Sequence, residues 1–150
     1  MNATRLLGRM RGVTLLELMV VIAVLGTLAA LAIPSYRRYL LRSQRSEAKI
    51  GLMQLQTAEE KYYLQYNAYT NDITGATNAN PPGLGLITTT ETGKYNLSVV
   101  LANAGQSFVA TATPRAGGGQ TDDAECSNFT ITERGVRGVS GPLAADVCWK

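Results

Sequence analysis

The sequence contains no histidine, and cysteine occurs only twice among its 150 residues. Histidine is the commonest general base and metal ligand, so its absence removes most of the usual catalytic and metal centres. Cys126 and Cys148 are too far apart for a CxxC zinc or redox motif. The sequence also lacks a phosphate-binding loop and a nucleophile elbow. We therefore expect no catalytic residue, no metal and no other cofactor, and we predict that the protein is not an enzyme.

Beyond its first dozen residues, the sequence has no surplus of charge of either sign. The formal net charge is +3, and Arg5, Arg9 and Arg11 account for all of it. The remaining residues carry 11 basic and 11 acidic side chains, so they do not predict the positive field typical of nucleic-acid or anionic-membrane binding. We do not expect nucleic acid to be a partner, because the candidate cations near the C-terminus are few and scattered. They are Arg115, Arg134, Arg137 and Lys150.

What the sequence does contain is one long apolar run. Residues 18–33 include no charged side chain, and extension back to Val13 gives 21 residues and adds Thr14 and Glu17. About 20 apolar residues cross a bilayer core as an α-helix. The apolar region of a removable secretory signal is shorter and ends at a small-x-small cleavage site. The run predicts a membrane-spanning helix, and on hydropathy alone a simple signal anchor fits it equally well.

Glu17 distinguishes this helix from a simple anchor. A carboxylate costs about 2.5–3.5 kcal/mol at the bilayer centre and less toward the interface, where the N-terminal helix dipole also favours an anion. These effects explain why Glu17 is tolerated. They do not explain why Arg11 and Gly12 stand directly before the apolar run.

Residues 12–36, GVTLLELMVVIAVLGTLAALAIPSY, resemble the prepilin N-terminal signature of type IV pilins and of type II secretion pseudopilins. In that family a prepilin peptidase cuts after the glycine and methylates the new N-terminal amine. The resemblance implies that Gly12 is the last leader residue and that Val13 becomes the methylated first residue. Val13 departs from the phenylalanine that the family most often has at this position.

The same resemblance assigns roles to other residues of the signature. Glu17 corresponds to the family's glutamate and, together with Thr14, is assigned to the assembly segment. Pro34 corresponds to the helix-kinking proline and Gly26 to an interior glycine, and both are assigned to the helix kink. Proline bends a helix because it removes a backbone donor and clashes with the preceding turn.

Cleavage before Val13 would create a cation among packed apolar helices, where a charge persists only if it is paired. Glu17 lies four residues further along the helix, within roughly 6 Å. The resemblance implies that Glu17 also meets the amine of a neighbouring subunit. The sequence leaves both partners open, and both predict that loss of the carboxylate harms assembly more than folding.

Residues 35–66 continue the helix with an amphipathic pattern. One apolar stripe is predicted to pack on a sheet, and it consists of Ala48, Leu52, Leu55, Tyr62 and Tyr66. Four arginines follow the apolar run, and we expect them to contact lipid headgroups or, alternatively, neighbouring subunits. They are Arg37, Arg38, Arg42 and Arg45.

The rest of the chain is predicted to form a small head. Residues 67–94 are rich in Asn, Thr, Gly and Pro and indicate a loop. The strands expected after it cover residues 95–101, 108–113, 129–132 and 136–139. The predicted fold class is α+β: one long N-terminal α-helix packed on a small antiparallel β-sheet.

The last third of the sequence contains the two cysteines and a cluster of acids. In an exported protein Cys126 and Cys148 are expected to form one disulfide, which closes a loop of about 23 residues and stabilises the head by roughly 3 kcal/mol. Asp122, Asp123 and Glu125 lie in a Gly-rich polar stretch, where we expect them to face water. Three nearby acids fall short of a full Ca²⁺ shell.

The resemblance implies a leader at residues 1–12, a transmembrane and filament-core helix at 13–34, and a periplasmic head at 35–150. The segments YYLQYNAYT, YNLSV, FVATATP and FTIT, with the final Cys148-Trp149-Lys150, are most similar to minor pilins of the PilE type. The implied function is a type IV pilus subunit that helps to prime assembly and enters the fibre, with roles in adhesion and twitching motility. A major pilin, a type II secretion pseudopilin and a DNA-uptake competence pilin are the alternatives.

That function implies specific partners and locations. The partners are other pilins, the prepilin peptidase and the inner-membrane assembly machinery. The expected location is the bacterial inner membrane, with one span and a periplasmic head, followed by the extracellular fibre.

Overall fold

The computed structural model describes residues 12–150, so the leader predicted at residues 1–12 lies outside the described residues except for Gly12. The described residues divide into two units, one that ends at Arg38 and one that covers Tyr39–Lys150. The first described element is the helix α1, Leu15–Tyr66, which has Pro34 in its interior. The helix continues through Pro34, and the kink assigned to Gly26 and Pro34 stays a prediction.

The second unit contains a four-stranded sheet in the order β1-β2-β3-β4. The strands are β1 Tyr95–Ala102, β2 Ser107–Pro114, β3 Phe129–Thr132 and β4 Arg137–Val139, and a short helix α2, Ala145–Cys148, follows them. Each neighbouring pair of strands is antiparallel. The predicted meander is therefore confirmed, as is the α+β fold class.

The buried stripe of α1 packs in the core with one face of the sheet. Residues Arg45, Ala48, Leu52, Leu55 and Glu59 are buried, and their alternating spacing of three and four residues places them on one side of the helix. The apolar members of the stripe, Ala48, Leu52 and Leu55, share the hydrophobic core with Tyr95, Leu97 and Val99 of β1 and with Phe108 of β2. The prediction for Ala48, Leu52 and Leu55 is confirmed.

The same prediction is wrong for Tyr66, whose side chain is 48% exposed. Tyr66 is the last residue of α1, and its ring lies 4.6 Å from the ring of Tyr62 instead of entering the core. Tyr62 itself is partly buried and packs against the core.

Gly51 allows α1 to approach the sheet closely. A Cβ atom at this position would lie 3.2 Å from Cγ2 of Thr90 and 3.4 Å from the side chain of Leu97. Contacts this short leave little room for any side chain. The glycine therefore fits the packing, although glycine is a poor helix former.

Residues 67–94, called the αβ loop below, are ordered by backbone hydrogen bonds. The N–H groups of Leu84 and Leu86 donate to the carbonyl oxygens of Asp72 and Ile73, at 2.9 and 2.8 Å. Further along, the N–H of Leu97 donates to the carbonyl oxygen of Thr88 at 2.7 Å. The loop thus covers part of the β1 edge, which would otherwise expose unpaired backbone groups.

Candidate functional site

The start of α1 is capped by the side chain of Thr14, the residue before it. The hydroxyl oxygen of Thr14 accepts a hydrogen bond from the N–H of Glu17 at 3.2 Å, and the carbonyl oxygen of Thr14 accepts one from the N–H of Leu18 at 3.1 Å. These contacts make Thr14 the N-cap residue of α1. The T-x-x-E spacing of Thr14 and Glu17 is that of a capping box, a signal that the sequence already contained.

The residues assigned to cleavage lie just before this cap. Gly12 and Val13 are both exposed, and no atom lies within 4 Å of the position that a Cβ of Gly12 would occupy. Glu17 is also exposed and forms no ion pair with any residue of the described range 12–150. Among residues 12–150, therefore, no cation neutralises the carboxylate of Glu17.

The first half of α1 presents a continuous apolar surface. Every residue from 15 to 38 is exposed, including Leu15 and Leu31 at 76% each. The helix is long and apolar enough to cross a membrane by length and composition. An exposed apolar surface of this size is typical of segments that contact lipid or another protein.

In the head, Arg45 joins α1 to the segment before Cys126. Its Nε and Nη2 atoms donate to the two carboxylate oxygens of Asp123 at 2.7 Å each, and Nη2 also donates to Glu125 at 2.8 Å. The hydrogen bond to Asp123 raises the pKa of the Arg45 guanidinium, against the opposing effect of burial. Both Arg45 and Asp123 are buried.

This pair corrects two expectations. Asp123 does not face water, because the guanidinium of Arg45 binds its carboxylate through two hydrogen bonds in the interior and neutralises its charge. Arg45 does not contact headgroups, because its side chain is held by that carboxylate. Arg42 stays largely exposed, 3.8 Å from Glu125.

Asp123 also connects to the disulfide. One carboxylate oxygen accepts a weak hydrogen bond from the N–H of Cys126 at 3.4 Å. The other accepts from the side-chain amide of Gln120 at 3.3 Å, and that amide also donates to the carbonyl oxygen of Leu41 at 3.1 Å. The predicted Cys126–Cys148 disulfide is present, with 5.9 Å between the Cα atoms.

The C-terminal cations are only partly brought together. The guanidinium of Arg137 lies 5.0 Å from the ring centroid of Trp149, and Lys49 donates a hydrogen bond to the backbone oxygen of Lys150. Burial, and then the charges of Arg45 and Arg137, lower the pKa of Lys49. The sequence did not single out Lys49, because it belongs to α1, 88 positions before Arg137.

The other two candidate cations have separate surroundings. Arg134 lies 3.5 Å from the carboxylate of Glu133. The guanidinium of Arg115 lies beside Gly93. The backbone N–H of Arg115 donates to the carbonyl oxygen of Lys94 at 2.8 Å.

Two family models match the chain. Residues 34–130 match the family described as "Type IV minor pilin ComP, DNA uptake sequence receptor". Residues 7–33 match the "Prokaryotic N-terminal methylation motif".

Curated relatives carry related descriptions. The fimbrial protein EcpC of Eikenella corrodens is 40% identical over 72% of this chain and 65% of its own length. The type IV major pilin protein PilE1 of Neisseria gonorrhoeae is 38% identical over 72% of this chain and 54% of its own. The type IV major pilin protein PilA of Myxococcus xanthus is 42% identical over 49% of this chain and 34% of its own. The chain thus spans about a third to two thirds of the length of these relatives.

A solved type IV pilin from Shewanella oneidensis overlaps 73% of this chain and 98% of its own, with a TM-score of 0.47 and 22% identity.

Proposed function

The chain belongs to the type IV pilin family, and on that premise we propose that it assembles into a pilus through α1, with Glu17 as the charge that positions each incoming subunit. The resemblance inferred from residues 12–36 is confirmed by the methylation-motif match. Pilins are structural subunits, and nothing in this proposal requires catalysis. The observation that carries the proposal is one exposed carboxylate, Glu17, in an exposed segment, residues 13–33, that has no other charged side chain.

The physical argument concerns the burial of that carboxylate. When the apolar segments of several subunits pack together, the carboxylate of Glu17 leaves water and needs a cation. Cleavage after Gly12 supplies one, the methylated amine of Val13, on the same helix or on a neighbour. An ion pair that has lost one partner costs about 3–5 kcal/mol, and that energy shifts a docking equilibrium by a hundredfold or more.

The test compares Glu17→Val with Thr27→Val as a control. Thr27 lies in the same exposed segment, but its side chain is uncharged. Membrane level, N-terminal processing and fibre yield are measured for both variants and for the unmodified chain. We expect Glu17→Val to be cut and to stay in the membrane but to enter fibres at least a hundredfold less. Thr27→Val should match the unmodified chain in all three measurements. Normal fibre entry of Glu17→Val at a normal membrane level would contradict the proposal.

Location and partners follow from the same proposal. Residues 13–34 span the inner membrane before assembly and form the filament core afterwards, and residues 35–150 form the periplasmic head. The partners are other pilins, the prepilin peptidase and the inner-membrane assembly machinery.

Within the family, we propose a minor pilin of the complex that primes assembly, which also enters the fibre and contributes to adhesion and twitching motility. The match of residues 34–130 to a minor-pilin family supports this, whereas the named relatives include major pilins. The share of this chain among the subunits of sheared fibres tests the assignment. A few per cent or less is expected, and a predominant share would make it a major pilin.

DNA uptake is a second candidate, favoured by one observation, the description of the matched family as a DNA uptake sequence receptor. Lys49, Arg137 and Lys150 would supply phosphate contacts. Lys49 donates to the backbone oxygen of Lys150, and the guanidinium of Arg137 lies over the ring of Trp149. We expect Arg137→Ala to weaken binding of duplex DNA and to lower its salt dependence. Arg134→Ala is the matched control, because it also removes one arginine but at a position that pairs with Glu133. Equal binding by both variants would remove this cluster from the DNA-binding hypothesis.

A further inference from the structure

Glu59 is an acid enclosed in the core of the head. It lies on the buried stripe of α1, and its side chain is 0% exposed. One carboxylate oxygen, Oε2, accepts a hydrogen bond from the backbone N–H of Thr70 at 3.1 Å. The other, Oε1, has no hydrogen-bond partner among residues 12–150. A charged carboxylate in such a place lacks most of its solvation.

No positive charge among the described residues offsets the cost of burying the Glu59 carboxylate. Within the described range, no lysine or arginine forms an ion pair with it. Its neighbour on α1, Glu60, has the same sign of charge and accepts a hydrogen bond from the hydroxyl of Tyr69 at 3.1 Å. Burial first, then the hydrogen bond to Glu60, and last the charge of Glu133 in the turn between β3 and β4 raise the pKa of Tyr69. Burial, opposed by the Thr70 hydrogen bond and assisted by Glu60, raises the pKa of Glu59 to about 7.

The contact of Glu59 with Thr70 holds the start of the αβ loop. Asp72 and Ile73, which follow within three residues, accept the hydrogen bonds of Leu84 and Leu86. Leu84 and Leu86 in turn form one wall of a groove of about 800 Å³, whose other wall is α1. The groove wall is therefore tied, through two backbone hydrogen bonds, to the segment that Glu59 holds.

We infer that Glu59 is a proton-operated latch: its neutral carboxyl holds the αβ loop on α1, and its ionisation releases the loop and loosens the wall of the groove. The direction follows from linkage. When the loop is open, Glu59 meets water and titrates near its ordinary value of 4.5, whereas in the closed state it holds its proton to about pH 7. Between these two pH values the closed state therefore binds more protons than the open state. Its stability relative to the open state is complete at low pH and is lost as the pH rises through 7.

The test is amide hydrogen exchange on the full chain in detergent micelles at pH 5.5 and 8.5, corrected for intrinsic exchange rates. The reporting amides are those of Thr70, Leu84 and Leu86, and Ala110 in the middle of β2 reports unfolding of the sheet. We expect the population of the open loop to rise roughly thirtyfold between the two pH values. Protection of the three loop amides should fall accordingly and stay below that of Ala110 at both pH values.

Two variants separate the latch from other acids. Glu59→Gln keeps the acceptor for Thr70 but cannot ionise, so its loop protection should become independent of pH. Glu60→Gln should keep a pH dependence, with its midpoint moved down because a like charge has been removed. A pH response that survives in Glu59→Gln would overturn the inference, and so would loop amides that exchange only together with Ala110.

A carboxyl ¹³C titration of Glu59 in the unmodified chain gives a measurement that does not depend on how the variants fold. A midpoint near 7 is expected. A midpoint near 4.5 would overturn the inference on its own. None of these outcomes depends on pilus assembly, so the latch can fail while the proposed function stands.

Discussion

The guanidinium of Arg45 on α1 holds both carboxylate oxygens of Asp123 at 2.7 Å, three residues before the half-cystine Cys126. The two residues are 78 positions apart in the sequence, and both are buried. This contact fastens the C-terminal disulfide region to the helix.

The first prediction concerns this ion pair. Asp123→Ala leaves the guanidinium of Arg45 buried with only the half-exposed Glu125 as a partner, so we expect a loss of about 3 kcal/mol in the free energy of unfolding. Arg42→Ala removes the largely exposed contact with Glu125 and should cost less than about 1 kcal/mol. Chemical denaturation followed by circular dichroism measures both.

The double variant Arg45→Ala, Asp123→Ala provides the decisive comparison. It removes the charge that Asp123→Ala leaves behind, so its loss should be smaller than the sum of the two single losses. Strict additivity would show that the two side chains do not interact.

The disulfide is the subject of the second prediction. Cys126→Ser should lower the free energy of unfolding by roughly 3 kcal/mol. The disulfide joins residues with a sequence separation of 22, and closing that loop lowers the conformational entropy of the unfolded chain. Cys148→Ser should give a similar loss, since either change opens the same loop. Thermal melting of the oxidised chain is the measurement, and an unchanged melting temperature in both variants would rule out a stabilising role.

The third prediction compares two helical glycines. Gly51→Val places side-chain atoms against Thr90 and Leu97, and we expect overpacking to cost about 1–3 kcal/mol. Gly26→Val is the matched control, because no atom lies within 4 Å of its added Cβ. The melting temperature of the head should fall in the first variant and stay unchanged in the second.

The fourth prediction concerns the leader. We expect the mature chain to begin with a methylated amine at Val13 and Gly12→Val to block cleavage, because the peptidase requires close approach to a residue without a side chain. Mass spectrometry of the N-terminal peptide reports both features. Fibres that contain an intact Arg11-Gly12-Val13 peptide would contradict the first, and processing of Gly12→Val at the normal rate would contradict the second.

The architecture of the head could be predicted because each element has a local signal. Alternating apolar residues and turn-forming residues marked the strands, and β3 was predicted at the residues where it occurs, Phe129–Thr132. The apolar stripe of α1 was likewise visible at Ala48, Leu52 and Leu55. These signals depend only on neighbours along the chain.

The charged members of the same stripe were missed for a physical reason. Arg45 and Glu59 continue the alternating spacing of three and four residues, but a charged residue on a helix is normally assigned to its solvated face. Arg45 is buried because Asp123 neutralises it from 78 positions away, and Glu59 because the N–H of Thr70 faces it. A pattern limited to neighbouring residues does not contain such partners.

Trp149 gives the chain its own optical reporter. It is the single tryptophan of the sequence, 8% exposed and next to Cys148. Its ring meets Phe129 edge-on at 5.9 Å, and its indole N–H donates to the carbonyl oxygen of Gly138 at 3.1 Å. Ultraviolet emission excited at the indole band therefore comes from this corner of the head alone, whereas far-ultraviolet dichroism is dominated by the 52 residues of α1. Comparison of the two signals during one melt can show, without an added label, whether the C-terminal corner detaches before the helix unwinds.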